Sequence, residues 1–423
     1  MTERVLLVGV VTPYQSMETV EDHLMELGNL VRTLKYEVVD RFIVKRNHIS
    51  PSMYIGKGKV EEIRSLISIL RLDEIIFDDD LSPTQSRNLE KALNIEIRDR
   101  SGVILEIFAK HSRTKEAKTQ VELATLEYLL PRLTRRWTHL ERQIGGIGVR
   151  SGAGETQIEV DRRLTRTRIS CLKKDIKRID RERDIQRKGR GSYYRVALVG
   201  YTNAGKSTIL NLFTNASVLV EDKLFATLDT TVRQWKIDKY HNVLLSDTVG
   251  FIRKLPPNLM ASFRSTLQEA READLILKVI DISNPNCLEH LKTVDEILIR
   301  LDLYEIPSLT VFNKIDKMDN GIFRQVRLDY PEAIFLSALN SLKVDDLRLG
   351  ILQKLQQEEI KVEIELSLND VKAIALIRDN GVVLKETYND ESIRMECLCY
   401  KRVWNWLERK LRHNVETAEN SKR

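Results

Sequence analysis

The residues best suited to chemistry stand together in Gly200-Tyr201-Thr202-Asn203-Ala204-Gly205-Lys206-Ser207-Thr208, two glycines with four residues between them, then a lysine and two hydroxyls. A strand-like Val196-Ala197-Leu198-Val199 precedes the run and a helical Ile209-Leu210-Asn211-Leu212-Phe213 follows it. That context is what a phosphate-cradling loop needs. Glycines let the backbone wrap so that its N–H groups point inward, and the helix start adds partial positive charge. Lys206 is then expected to reach the β- and γ-phosphates, and Ser207 to ligate Mg²⁺. An ordinary glycine turn is the plainer reading, and the flanking strand and helix weigh against it.

A second strand, Val243-Leu244-Leu245-Ser246, ends in Asp247-Thr248-Val249-Gly250, about 40 residues after the lysine. Asp247 suits Mg²⁺ held through water, and the Gly250 amide suits sensing of a γ-phosphate. A third, Leu309-Thr310-Val311-Phe312, ends in Asn313-Lys314-Ile315-Asp316. Guanine offers an acceptor at O6 and donors at N1 and N2, so a carboxylate must accept from it. Asp316 fits that task, with Asn313 organising the pocket and the Lys314 stem packing along the base. Adenine would leave these groups unpaired. Ser337-Ala338-Leu339, after a further strand, is expected to offer a backbone amide to O6. The reading is GTP rather than ATP. Between the first two motifs lies Phe225-Ala226-Thr227-Leu228-Asp229-Thr230-Thr231. A switch loop needs one threonine on Mg²⁺, and spacing does not choose among Thr227, Thr230 and Thr231.

Elements must hold these motifs in place. A chain of 423 residues exceeds what one core fills. Residues 1–112 alternate short apolar strands with helical patterns, which predicts a small α/β domain with a mostly parallel sheet. Ser82-Pro83 reads as a helix cap with proline in the first helical position. Residues 113–190 read as a basic helical hairpin, one helix interrupted near Pro131, the second from about Gln157 to Gln186. The loop between them, Gly145 to Gly154, is half glycine. Residues 191–358 give the doubly wound GTPase domain, entered through a linker at Lys188-Gly189-Arg190-Gly191-Ser192. Residues 359–423 give a small α+β domain with strands Val362 to Leu366 and Gly381 to Leu384 and a helix near Arg402–Leu411. The expected fold class is thus α/β, a P-loop GTPase domain between a small α/β domain with a long hairpin and a small C-terminal α+β domain.

Charge is uneven. The net charge is +6, yet residues 111–190 carry 21 Lys and Arg against 11 Asp and Glu. A positive charge confined to one segment suggests a polyanionic partner there. Arg162, Arg163, Arg166, Lys173, Lys174 and Lys177 are expected to lie along phosphates of structured RNA, since no aromatics suited to single-strand stacking are interleaved with them. No run reaches the roughly 20 apolar residues of a membrane span, and the first residues do not read as a signal peptide. Four scattered cysteines do not make a disulfide framework, and Cys397-Leu398-Cys399 reads as packing in a strand. A cytoplasmic monomer is the expectation.

With these residues assembled, the chain resembles the HflX family of translational GTPases. The resemblance rests on Gly200 to Ser207, Phe225 to Asp229, Asp247-Thr248-Val249-Gly250-Phe251-Ile252, Asn313 to Asp316, and the hairpin loop ending in Gly152-Ala153-Gly154-Glu155-Thr156-Gln157. It implies that Thr227 is the Mg²⁺-binding switch threonine. It also implies binding to the large ribosomal subunit, with the hairpin loop reaching toward the peptidyl-transferase centre, and a part in splitting or rescuing stalled ribosomes or in their biogenesis. One departure is Thr230, where the family usually has proline. Small signalling GTPases place a water-orienting glutamine where this chain has Phe251, so hydrolysis is expected to be slow without a partner. Asn203 marks the position at which several GTPases use K⁺, or else it only shapes the loop. Gly56-Lys57-Gly58-Lys59 reads as a helix-start turn rather than a second nucleotide site. Two other functions stand beside this one, an ATP-dependent RNA-remodelling activity of the N-terminal domain and a GTP-gated scaffold.

Overall fold

The computed structural model describes residues 2–133, 157–187, 193–214, 224–225, 230–254, 256, 268–318 and 320–420. The chain divides into two compact units. The first comprises residues 1–181 with 221–229 and 252–266, the second 182–220 with 230–251 and 267–423.

In the first unit, β1 (Arg4–Val11), β2 (Glu37–Lys45), β3 (Glu74–Phe77) and β4 (Glu96–Asp99) form a parallel sheet of order β2-β1-β3-β4. Every residue of β3 and all but the ends of β1 are buried, the continuous apolar reading that a sheet covered on both faces requires. Between the strands run α1 (Met17–Thr33), α2 (Lys57–Leu70) and α3 (Pro83–Leu93), and α4 (Arg100–His111) follows β4. Ser82 caps α3 in a reciprocal capping box with Gln85, and Pro83 occupies its first turn, as the sequence predicts. Gly56 is the N-cap of α2, and Lys59 is ion-paired with Glu62 at its start, a helix-start turn.

α5 (Lys115–Leu129) is capped by Thr114 and gives way to a 3₁₀ turn, Leu130–Arg132, that contains Pro131. α6 (Gln157–Arg187) runs for 31 residues. Leu123 and Leu126 of α5 pack against Leu172, with Ile169 and Ile176 beside them. Arg162 donates to the Leu133 carbonyl, so the second helix starts beside the end of the first, as a hairpin demands. The expected glycine-rich loop and the linker at residues 188–192 lie outside the described residues.

The second unit holds β5 (Tyr194–Gly200), β6 (Thr231–Lys236), β7 (Asn242–Asp247), β8 (Leu275–Asp281), β9 (Ser308–Asn313) and β10 (Ile334–Phe335) in the order β10-β9-β8-β5-β7-β6. Only β6 and β7 pair antiparallel. α7 (Lys206–Thr214), α8 (Gln268–Arg271), α9 (Cys287–Arg300), α10 (Asn320–Asp329) and α11 (Val344–Gln357) complete this doubly wound part. A separate antiparallel sheet of order β11-β13-β12 follows, built from β11 (Glu359–Ser367), β12 (Val382–Tyr388) and β13 (Ser392–Tyr400), with α12 (Val371–Asn380) and α13 (Lys401–Asn420). Cys397 and Cys399 are on the inward face of β13 with Ile393 and Met395, the packing role expected of them. Among the described residues no helix is long and apolar enough to cross a membrane.

The first unit buries charge. Glu74, 2% exposed, is bonded to the Arg98 guanidinium, which also binds Glu106. Burial pushes the Glu74 carboxyl up to about 7, against the pull of Arg98. Removing one partner of such a pair costs about 3–5 kcal/mol. A carboxyl whose folded-state pKa lies above its ordinary 4.5 stabilises fully below that value and loses this as pH rises through 7. Arg98→Met should therefore lower the protection of β1 and β3 amides in native-state hydrogen exchange by about 3–5 kcal/mol at pH 8 and by much less at pH 5. A penalty that does not change with pH contradicts this account.

Candidate functional site

The four sequence motifs meet at one edge of the six-stranded sheet. Gly200, Asp247 and Asn313 are the last residues of β5, β7 and β9, and the strand order reverses around β5, between β8 and β7. Open α/β sheets bind ligands at such carboxyl ends. Residues Gly200 to Gly205 form the loop between β5 and α7, which Lys206 begins.

Two close approaches fix the glycines. Gly205 adopts φ +94°, and a Cβ there would lie 2.2 Å from Asn313 Nδ2, so only glycine fits. A Cβ on Gly250 would lie 2.9 Å from Thr202 Cα and 3.2 Å from Lys206 Nζ. The reason is a backbone bridge. Phe251 N–H donates to the Gly200 carbonyl at 2.9 Å, and Thr202 N–H donates to the Phe251 carbonyl at 2.8 Å. The segment Asp247 to Phe251 is thereby stitched along the phosphate loop. Thr248 adds a hydroxyl bond to the Leu198 carbonyl at 2.7 Å. Thr248 and Val249 are both buried.

Asn313 ties the two halves of the pocket together. Its Nδ2 donates to the Ala204 carbonyl at 2.9 Å, and its Oδ1 accepts from Ala338 N–H at 3.0 Å. Ser337 is fully buried, Leu339 is exposed, and the turn they begin closes through paired Ser337 and Leu342 backbone bonds. Asp316 is exposed on the 3₁₀ turn Ile315–Lys317. Lys314, at φ +65°, ion-pairs with Asp281 at 2.7 Å. The sequence reading had only its stem in view, and Asp281, which closes β8, was missed.

Lys206 is 6% exposed, and its Nζ donates to the Gly200 and Tyr201 carbonyls at 3.1 and 2.9 Å. Burial pushes it down to about 8, with Asp247 pulling the other way. Ser207 Oγ donates to Asp247 Oδ2 at 2.5 Å, which joins two oxygens from separate motifs. Thr202 Oγ1 is buried without a hydrogen-bond partner among the described residues. Asn203 is exposed at φ +61°, a left-handed position that asparagine tolerates. The Tyr201 ring stacks on His290 of α9 at 3.8 Å and 5°, a contact with no signal in the sequence.

Of the first threonine-rich motif, Phe225 is buried in the first unit, with its ring 4.5 Å from that of Phe108. Ala226, Thr227, Leu228 and Asp229 lie outside the described residues. Thr231 opens β6 opposite Asp247 in the ladder. Residues 252–254 also belong to the first unit. There Arg253 pairs with Glu26 at 2.9 Å, and Lys254 with Asp78 and Asp79 at 2.7 and 2.5 Å. Asp78 also pairs with the fully buried Arg100.

A lysine depressed to about 8 must take up a proton to hold a phosphate. Binding of guanosine diphosphate at pH 8, followed by calorimetry in buffers of different ionisation enthalpy, should show net uptake of about half a proton. Lys206→Arg should abolish the uptake. No uptake in the unaltered chain contradicts the assignment of Lys206 to the phosphates.

Three family models match in succession: GTP-binding GTPase N-terminal over residues 21–109, GTP-binding GTPase Middle Region over 111–190, and 50S ribosome-binding GTPase over 195–314. The GTPase HflX of Flavobacterium psychrophilum is 52% identical over 314 residues, covering 74% of this chain and 76% of its own. That of Magnetococcus marinus is 42% identical over 385 residues, with 90% and 89% covered. A GTP-binding protein from the archaeon Sulfolobus solfataricus, solved with GDP, aligns over 84% of this chain and 99% of its own at 25% identity, with a TM-score of 0.43. An identity above 40% across nine-tenths of the chain, together with three family models in the right order, leaves one conclusion: the chain belongs to the HflX family of GTPases, and it binds and hydrolyses GTP.

Proposed function

We propose that this GTPase acts on the large ribosomal subunit, binding it in the GTP form and using hydrolysis to leave it, in the splitting or rescue of stalled ribosomes or in their assembly. The observation that carries the reading is a stripe of positive charge on α6. Arg163, Arg166, Lys174 and Lys177 are exposed and recur at helical spacing, so they share one face. At 1.5 Å per residue the stripe runs about 21 Å, enough to meet several phosphates. Arg168 and Lys173 are engaged instead with Glu122 and Glu127 of α5 and brace the hairpin. The match to a model described as a 50S ribosome-binding GTPase supports the same partner.

Within the nucleotide site the roles follow from the chemistry of each group. Lys206 holds the β- and γ-phosphates, the loop Gly200 to Gly205 wraps them, and Asp316 accepts from guanine N1 and N2. Asn313 and Lys314 fix the base pocket, and Ser337 to Leu339 shape its far wall. Ser207 and Asp247 offer the hard oxygens that Mg²⁺ prefers, with Thr227 the switch threonine that the family resemblance implies. Bound there, Mg²⁺ neutralises phosphate charge. The Gly250 amide senses the γ-phosphate. Phe251 is buried and brings no side-chain hydrogen bond to water, so the chain alone hydrolyses slowly and its partner orders the switch segments. Asn203 shapes the loop through its left-handed backbone, and a K⁺ beside it is a separate proposal.

Single-turnover hydrolysis should rise by at least about tenfold when large subunits are added, and the GTP form alone should co-sediment with them at physiological salt. Replacing K⁺ by Na⁺ in the same assay should slow the reaction if Asn203 helps hold K⁺. Equal rates with and without subunits overturn the ribosomal reading. Equal rates in both salts remove K⁺ from it.

A further inference from the structure

The C-terminal helix presents a second candidate surface for nucleic acid, in a region beyond residue 314, where the last family match ends. Val403 and Leu407 of α13 are buried, 4% and 1% exposed. The opposite face borders an open groove of about 460 Å³ lined by Glu358, Lys401, Arg402, Asn405, Trp406 and Arg409. Trp406 is 42% exposed, and Lys410 Nζ lies 4.6 Å from the centre of its ring. The run Lys401-Arg402-Val403-Trp404-Asn405-Trp406-Leu407-Glu408-Arg409-Lys410 interleaves aromatics with cations, the pattern that the basic hairpin lacks.

Charge on this face is not balanced. Arg402 is engaged with Asp274 at 2.8 Å and reaches the Tyr193 carbonyl, and Glu358 is the one carboxylate in the groove lining. Lys401, Arg409 and Lys410 are exposed, and no carboxylate pairs with them among the described residues. A large aromatic ring left half in water costs free energy that a stacking partner recovers. Cations alone would suit any polyanion, an acidic peptide included. A flat ring among cations favours a base with phosphates on either side.

We propose that this groove binds a short single-stranded segment of RNA, its phosphates along Lys401, Arg409 and Lys410 and one base stacked on Trp406. The inference does not require the ribosomal reading, because free oligonucleotides test it. The full chain is irradiated with a hexanucleotide carrying 4-thiouridine, and adducts are mapped by mass spectrometry. A cross-link within residues 401–410 is expected. The concentration for half-maximal cross-linking there should rise roughly 5- to 100-fold in Trp406→Ala and little in Trp406→Phe, with GTP hydrolysis unchanged as the check on folding. Arg409→Glu with Lys410→Glu should weaken the same adduct and flatten its salt dependence. Adducts confined to residues 157–187, or equal yields in Trp406→Ala, overturn the proposal. So does displacement by polyglutamate as effective as by unlabelled RNA, which would make the groove a site for acidic protein. Loss of subunit binding with this adduct intact would count against the ribosomal reading alone.

Discussion

One buried amide holds the nucleotide site together. Asn313, 2% exposed, spends both ends of its side chain on backbone groups of other segments, the Ala204 carbonyl and the Ala338 N–H. Through it the loop Gly200 to Gly205 and the turns at Asn313 and Ser337 become one object. In a dry environment each such bond is strong, and each unmade one costs about 1–3 kcal/mol. The constraint reaches back into sequence: Asn313 approaches so closely that residue 205 must be glycine. Pocket shape and phosphate-loop composition are therefore one requirement, not two.

The sheet supplies the frame in which that amide can work. β5, β7 and β9 end at one edge, so three motifs spread from Gly200 to Asn313 along the chain arrive together. The backbone bridge between Gly200, Thr202 and Phe251 then brings Gly250 to the lysine. Residues immediately beyond it, Arg253 and Lys254, are held by carboxylates of the first unit. The segment Asp247 to Phe251, proposed to report on the third phosphate, is thus held along the loop Gly200 to Gly205 by backbone hydrogen bonds. These can be exchanged for others at modest cost, unlike a packed core.

Much of this was legible in the sequence because the informative residues obey local rules. The phosphate loop announces itself by glycines, lysine and hydroxyl between a strand and a helix, Ser82-Pro83 by its cap, and Pro131 by the turn it forces. The mostly parallel sheet of residues 1–112 followed from the alternation of apolar strands with helical patterns, and the structure gives it four strands. Long-range pairings carry no such mark. The ion pair of Lys314 with Asp281, the stack of Tyr201 on His290 and the packing of Phe225 on Phe108 depend on strands and helices meeting in space. In the C-terminal region two short strands were read, and the structure has three longer ones with an added helix. Its alternation of charged and apolar residues is that of a half-exposed antiparallel sheet, where strand ends are set by pairing partners and not by turn residues alone. The exposed Trp406 beside the cations of α13 was hidden for the same reason, since exposure belongs to the fold.

Asn313 joins the proposed phosphate loop to the proposed base pocket. The most direct measurement is the affinity of Asn313→Ala for guanosine diphosphate, by calorimetry, beside its unfolding midpoint. Losing both bonds and leaving two buried backbone groups unpaired should weaken binding by roughly 100- to 1,000-fold while the sheet still folds. An affinity within about threefold of the unaltered chain would contradict the account, because the two halves of the site would then hold their places without the amide that joins them.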